Sequence, residues 1–166
     1  MPIGMKNSWL GFFLLFAGCS GSKPDLVELD PDRFQCLERF VAAGDRGPMM
    51  ADAAGNFAPV IPFKSASAQL IDEGRAKLDS IAGFLAGNGN TYRIAVHSDK
   101  NGPKEGLFSL SRKRANAIAA YLISKGIAKE RVPAVGLGWK CYLGNADSPE
   151  DQRKNRRVEF ILGVGE

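Results

Sequence analysis

The sequence predicts an α/β (α+β) fold, a two-layer sandwich of the βαβαββ type in which helices cover one mixed sheet. Two observations predict this class. From Ala58 onward, short segments that alternate apolar with polar residues are separated by longer segments whose apolar residues recur at helical spacing. The chain has 166 residues, of which 45% are hydrophobic and 24% charged, a balance typical of one globular domain with a single core.

Four strands and two helices make up the predicted domain. The strands are expected at residues 60–63, 92–96, 132–135 and 158–162. The first helix is predicted to end near Gly87, and its inward stripe consists of Leu70, Ile71, Leu78, Ile81, Ala82 and Leu85. The second helix is expected to begin near Ser109 or Ser111 and to end at Gly126. Residues 97–106 and 136–154 are predicted loops, and the length of the second suggests a functional or cross-linked segment.

The N-terminus is typical of an export signal. Lys6 precedes an apolar run at residues 9–17, which is about half the length of a membrane-spanning helix. The order Leu15-Phe16-Ala17-Gly18-Cys19 resembles the bacterial lipobox, whose cysteine receives diacylglycerol. That resemblance implies a lipidated, palmitate-bearing Cys19, and Ser20 in place of an aspartate implies sorting to the outer membrane. An ordinary secretory signal with a chance cysteine is the alternative.

These features divide the chain into four segments. Residues 1–18 are the predicted signal peptide, and residues 19–26 are the lipidated cysteine and a flexible tether. Residues 27–57 are an extension in which Asp30-Pro31-Asp32 is expected to begin a short N-terminal helix. Residues 58–166 are the predicted folded domain.

The cysteines leave two interpretations open. The chain has three, and lipid on Cys19 would leave Cys36 and Cys141. An oxidising periplasm would allow these two to form a disulfide, whereas two partly buried free thiols are the alternative. The sequence has no CxxC pair and a single histidine, His97, so neither a zinc site nor any other metal site is expected.

The charge distribution argues against a nucleic-acid partner. The formal net charge is +4, and acidic residues are interleaved with basic residues through most of the chain. Arg153, Lys154, Arg156 and Arg157 form a local basic cluster. A solvated turn is the expected interpretation of this cluster, and a polyanion site is the alternative.

Several separate blocks of sequence together carry a family resemblance. They are His97-Ser98-Asp99, Gly102, the Leu-Ser-Arg-Lys-Arg-Ala segment at 110–115, Tyr121-Leu122, Gly126-Ile127, Gly136-Leu137-Gly138 and Asn155-Arg156-Arg157-Val158-Glu159. In this order and spacing they resemble the OmpA-like peptidoglycan-binding domain family, which includes Pal-like outer-membrane lipoproteins. The resemblance covers about residues 60–162 and implies the OmpA-like form of the predicted sandwich.

The resemblance also implies a binding site for diaminopimelate, a residue of the wall stem peptide that ends in an amino acid zwitterion. Asp99 and Arg114 stand where the family places an acid for the ammonium and an arginine for the carboxylate. The planar guanidinium suits a carboxylate because it can bind it in a bidentate manner. Gly102 in the loop and the backbone amide of Ser111, at the expected start of the second helix, would complete the site. The residues alone also allow a turn-capping Asp99 and a solvated Arg114, or a simple pair between them.

Three positions depart from the family pattern. Val96 replaces a Gly, Leu107 replaces an Asn that neighbours the ligand in the family, and Tyr142 replaces a common Pro. The Leu107 departure bears most directly on binding strength and on which wall chemistry is preferred.

The expected function is therefore that of an outer-membrane lipoprotein, with its domain in the periplasm, which tethers the membrane to peptidoglycan. The protein is not expected to be an enzyme or to need a cofactor. Peptidoglycan and the membrane, through lipid, are the expected partners, and the resemblance adds Tol-type or other envelope proteins. The alternative is a degenerate OmpA-like scaffold that binds envelope proteins and has no affinity for the wall.

Overall fold

The computed structural model describes residues 58–142 and 148–163. The predicted signal peptide, the lipidation site Cys19, the tether, the N-terminal helix and Cys36 all lie outside the described residues. The elements within them, in chain order, are α1 (Asp72–Ala86), β1 (Thr91–His97), α2 (Lys104–Ser124), a 3-10 turn (Lys129–Arg131), β2 (Ala134–Gly138), α3 (Pro149–Asn155) and β3 (Val158–Gly163). None of the helices in these two ranges is both long enough and apolar enough to span a bilayer.

The strands form one mixed sheet in the order β2-β1-β3. β1 runs parallel to β2, with Ile94 opposite Ala134, and antiparallel to β3, with Ile94 opposite Phe160. Because β1 and β2 are parallel, α2 serves as the crossover between them and their carboxyl ends lie at the same edge. This arrangement confirms the predicted mixed sheet with covering helices.

The main core lies between the sheet and helices α1 and α2. Leu78, Ile81 and Leu85 on α1 are fully buried, as are Ile118 and Leu122 on α2. Each of these side chains contributes about 1.5 to 3 kcal/mol by leaving water. The helical spacing of these residues is therefore what fixes both helices to the sheet.

Helix α2 contacts β2 closely enough to require glycine there. A Cβ on Gly136 would lie 2.1 Å from the backbone nitrogen of Arg112, and one on Gly138 would lie 2.9 Å from the ring of Phe108. Gly138 also has a φ of +54°, in the left-handed region that favours glycine. The Gly136-Leu137-Gly138 block thus sets the distance between the second helix and the sheet.

Four local predictions were wrong. Ile71, which was expected in the inward stripe of the first helix, precedes α1 and is 40% exposed. Residues 60–63 form no strand, and Phe63 makes only an isolated bridge with Leu70. Helix α2 begins at Lys104, earlier than the predicted start at Ser109 or Ser111. The predicted loop at 136–154 contains the end of β2 and most of α3.

Candidate functional site

The candidate site lies at the edge of the sheet where β1 and β2 end and β3 begins. The backbone amide of His97 donates to the carbonyl of Arg157 at 2.9 Å, and that of Ser98 donates to the carbonyl of Gly138 at 2.7 Å. The loop that carries Asp99 is therefore attached to both neighbouring strands. Loops at the carboxyl ends of parallel strands are a frequent position for ligand sites.

The Asp99 carboxylate has two partners. One oxygen accepts the backbone N–H of Asn101 at 3.1 Å, and the other accepts Nη1 of Arg156 at 2.6 Å. The side chain of Asp99 is 11% exposed and that of Arg156 is 50% exposed. The carboxylate is thus held by the loop, while its cationic partner is on the solvent side.

Arg114 is held through the Nε atom of its guanidinium. Its Nε donates to the carbonyl of Ser67 at 2.9 Å, and the guanidinium lies 5.1 Å from the centre of the Phe63 ring. Burial lowers the pKa of Arg114, although an arginine so placed remains cationic at neutral pH. Among the described residues no carboxylate pairs with it, so its two terminal nitrogens are available to an anion.

A cleft of about 300 Å³ adjoins Arg114. Its lining residues come from the segment before α1, from the end of β1, from α2 and from the α3–β3 connection, and they are Ala58, Pro59, Val60, Ile61, Phe63, Val96, His97, Arg114, Arg153, Lys154, Arg156, Arg157 and Val158. Asp99 does not line the cleft, but its partner Arg156 does. The predicted site residues Asp99 and Arg114 do not pair directly with each other, and Arg156 is the residue that both contacts Asp99 and lines the cleft with Arg114.

A buried charged network lies beneath the cleft. The Nε of Arg157 donates to Glu159 at 2.6 Å, and Nη2 donates to the carbonyl of Cys141 at 3.1 Å. Nε2 of His97 lies 3.2 Å from the other oxygen of Glu159, close enough for an ion pair but not aligned for a directed hydrogen bond. Burial of Glu159 opposes its ionisation, yet His97 and Arg157 outweigh burial and lower the pKa of Glu159. This network holds the start of β3 against the end of β1.

Comparison with known families agrees with this architecture. The model of the OmpA family matches residues 62–156. The chain belongs to the OmpA family. The match spans α1 to α3, so it includes Asp99, Arg114 and Arg156, and with it the predicted OmpA-like fold is confirmed.

Individual proteins show the same likeness. This OmpA-family chain is 30% identical over 152 residues to a peptidoglycan-associated lipoprotein of Rhizobium meliloti, covering 90% of this chain and 82% of that protein. It is 27% identical over 114 residues to the protein of that name from Pseudomonas putida, covering 69% of each. The crystal structure of the peptidoglycan-associated lipoprotein from Burkholderia pseudomallei matches with a TM-score of 0.53 at 25% identity, covering 61% of this chain and 86% of that one.

Ser111 occupies a different environment from the one expected. It is fully buried, its hydroxyl donates to the carbonyl of Phe108 at 3.0 Å, and the same oxygen accepts the backbone N–H of Gly138 at 2.9 Å. Because α2 begins at Lys104, the amide of Ser111 lies in the helix interior and not among the free amides of the first turn. The side chain of Ser111 joins α2 to the end of β2.

The loop before α2 is shaped by Gly102. Its φ of +133° lies in the region that disfavours other residues. A Cβ added there would be 3.7 Å from a methyl group of Leu107, so the apolar residue that replaces the family's Asn packs beside this loop. Gly102 therefore determines the backbone path between Asp99 and the helix.

Cys141 is disulfide-bonded in the structure. The other cysteines of the chain, Cys19 and Cys36, both lie outside the described residues. If Cys19 carries lipid, Cys36 is the remaining partner, and the pairing of Cys36 with Cys141 stays a prediction. The bonded Cys141 also has its carbonyl on Arg157, so it is tied to the network beneath the cleft.

Sequence reasoning missed the contact between Arg156 and Asp99. It interpreted the basic cluster that contains Arg156 as a solvated turn. The signal that could have revealed the contact is the antiparallel pairing of β1 with β3, which brings the start of β3 to the end of β1. Within residues 58–142 and 148–163, no group of three or more His, Cys, Asp or Glu side chains could hold a metal ion.

Proposed function

We propose that this OmpA-family protein binds peptidoglycan noncovalently through the diaminopimelate of the stem peptide. The observation that carries the proposal is that an acidic and a basic side chain lie at the same end of the sheet. The loop carboxylate of Asp99 is bonded to Arg156, the half-buried guanidinium of Arg114 lines the same cleft as Arg156, and Arg114 has no acid partner among the described residues. Relatives called peptidoglycan-associated lipoproteins support peptidoglycan as the polymer that is bound.

The proposed ligand carries an ammonium and a carboxylate on one carbon. The carboxylate would accept from the terminal nitrogens of Arg114, whose Nε is already fixed by Ser67. The ammonium would donate to Asp99, which already has a bond to Arg156. Charge-assisted contacts of this kind are about twice as strong as neutral hydrogen bonds. Two such contacts on one small group account for recognition without any catalytic step.

Arg156 would have to adjust when the ligand binds. Its side chain is half exposed, so its guanidinium can move into water at little cost. Once displaced from Asp99, it would itself lie beside the ligand carboxylate in the same cleft. The exchange leaves the Asp99 charge satisfied before and after binding, which is the condition for a nearly buried carboxylate.

The envelope context belongs to the same proposal. We propose that Cys19 carries lipid, that the lipid anchors the chain in the outer membrane, and that the folded domain faces the periplasm. Several acyl chains hold a protein on a membrane far more firmly than one chain does. In this role the protein is a noncovalent tether between membrane and wall, with no enzymatic activity.

Sedimentation with purified sacculi tests the proposal. The soluble chain, residues 20–166, should sediment with sacculi, and Asp99→Ala or Arg114→Ala should cost about 2 to 4 kcal/mol of binding because each leaves a charged partner poorly satisfied. Lys113→Ala is the matched control, since Lys113 is exposed on the same helix as Arg114. Circular dichroism should show that all variants keep the fold.

Two outcomes would contradict the proposal. Equal sedimentation of the wild type and Arg114→Ala would show that this arginine does not hold the ligand. Failure of the wild type to sediment would favour the alternative, a degenerate OmpA-family scaffold that binds other envelope proteins, of the Tol type or another.

A further inference from the structure

The cleft beside Arg114 carries more positive charge than one zwitterion requires. Five of its lining residues are cationic, and none is Asp or Glu. Three of the five form ion pairs with acidic residues. Arg156 pairs with Asp99, Arg157 pairs with Glu159, and Nζ of Lys154 lies 2.9 Å from a carboxylate oxygen of Glu150. The other two, Arg114 and Arg153, have no ion-pair partner in the part of the chain that the structure describes. An occupant that neutralises the cleft therefore brings two negative groups.

Arg153 is presented by a short helix that is fixed at both ends. The hydroxyl of Ser148 accepts the backbone N–H of Asp151 at 3.0 Å at the start of α3. Asn155 is buried at the other end, and its Nδ2 donates to the carbonyl of Asp151 at 2.8 Å. The exposed side chain of Arg153 thus extends from a defined position on the rim of the cleft.

One wall of the cleft is apolar. It consists of Ala58, Pro59, Val60, Ile61 and Phe63, and Val60 is 75% exposed. A cleft with one apolar wall and two unpaired arginines suits an extended chain with small apolar groups between anionic groups. A bare phosphate would use the arginines but would leave the apolar wall in water.

We propose that Arg153 binds a second carboxylate of the same stem peptide whose zwitterion is held by Asp99 and Arg114. This proposal rests on the proposed function and names the ligand more closely, as a peptide with a free carboxylate beyond its zwitterion. Stem peptides combine short methyl side chains with several carboxylates, so both walls of the cleft would be used. Amidation of that second carboxylate removes its charge and with it the contact with Arg153.

Isothermal titration of the full-length chain in mild detergent tests this subsite. The ligands are the tripeptide L-Ala-γ-D-Glu-meso-diaminopimelate and two forms of it, one amidated at the glutamate α-carboxylate and one at the C-terminal carboxylate. For the wild type, at least one amide should bind about 3- to 10-fold more weakly, because the contact is charge-assisted but exposed. Arg153→Gln should bind the free tripeptide more weakly by the same factor and should not distinguish it from that amide.

Arg93→Gln is the matched control, because Arg93 is an exposed arginine on β1 that does not line the cleft. It should distinguish the amides as the wild type does. The subsite is refuted if Arg153→Gln still distinguishes them, if Arg93→Gln loses the distinction equally, or if neither amide weakens binding to the wild type. Competition by inorganic phosphate that disappears in Arg153→Gln would also overturn it, in favour of a simple anion site.

The failure of this inference and that of the proposed function can be told apart. If Arg114→Ala abolishes tripeptide binding while Arg153→Gln behaves as the wild type, zwitterion binding stands and the second subsite is wrong. If the wild type binds no tripeptide at all, both are wrong.

Discussion

Replacing Ser111 by alanine separates a structural role from a binding role for this residue. Its hydroxyl is buried between α2 and β2, where it accepts from Gly138 and donates to Phe108. Alanine would leave the Gly138 N–H buried without a partner. We therefore expect Ser111→Ala to lower the free energy of unfolding and to leave wall binding intact at temperatures where the variant is folded.

The magnitude follows from these contacts. Leaving one buried donor unsatisfied costs about 1 to 3 kcal/mol. The better helix propensity of alanine offsets about 0.5 kcal/mol of this. The expected net loss is about 0.5 to 2.5 kcal/mol, and each kcal/mol lowers the Tm of a domain of this size by about 4 to 8 °C.

Urea denaturation followed by circular dichroism measures the loss, and sedimentation with sacculi measures binding. Ser109→Ala is the matched control, because Ser109 lies on the same helix and has no hydrogen bond from its side chain among the described residues. It gains helix propensity without losing a contact and should be as stable as the wild type or slightly more stable. If Ser111→Ala keeps its stability and loses binding, the structural assignment is wrong and Ser111 contacts the ligand.

Three further predictions concern the frame of the site. The pKa of Glu159 is lowered from its ordinary value of 4.5, so its contribution to stability is present above that pH and is lost as the pH falls through the folded-state pKa. The difference in unfolding free energy between wild type and Glu159→Gln should therefore be about 3 kcal/mol at pH 7 and should shrink below about pH 4.5. A difference that does not depend on pH would contradict this. Gly136→Ala should destabilise the domain by more than about 3 kcal/mol in urea denaturation, because its Cβ would clash with the backbone of Arg112. A loss under about 1 kcal/mol would show that α2 can shift to make room. Mass spectrometry of the nonreduced periplasmic protein should find a peptide linking Cys36 to Cys141, and two free thiols there would exclude the cross-link.

Most of the fold could be predicted because its signals are local. The apolar stripe of α1 from Leu78 to Leu85 and the end of that helix at Gly87 follow from helical spacing and a terminal glycine. The failure at residues 60–63 also has a local cause, since Pro62 has no N–H to donate to a sheet. The sequence signals for the start of α3 were present in the N-cap Ser148 and in Pro149, but they were not used because the whole of residues 136–154 was assigned to a loop.

The start of α2 was misplaced because its serines resemble N-caps. Ser111 bonds instead across to β2, which is a tertiary contact that no local pattern reveals. The partner of Asp99 was missed for the same reason. Arg156 is 57 residues away in sequence, and only the pairing of β3 with β1 brings the two together. Sequence reasoning therefore identified residue types suited to a zwitterion, but not the cation that already neutralises one of them.

The bond between Asp99 and Arg156 has a consequence for selectivity. A lone amine gains little by approaching Asp99, because it only replaces one cationic partner of this carboxylate, Arg156, with another. A lone carboxylate finds Arg114 open but cannot release Arg156 from its acid. Only a molecule that supplies both charges at once can replace Arg156 on Asp99 and also bind Arg114, so the site would favour a zwitterion over simple amines and acids.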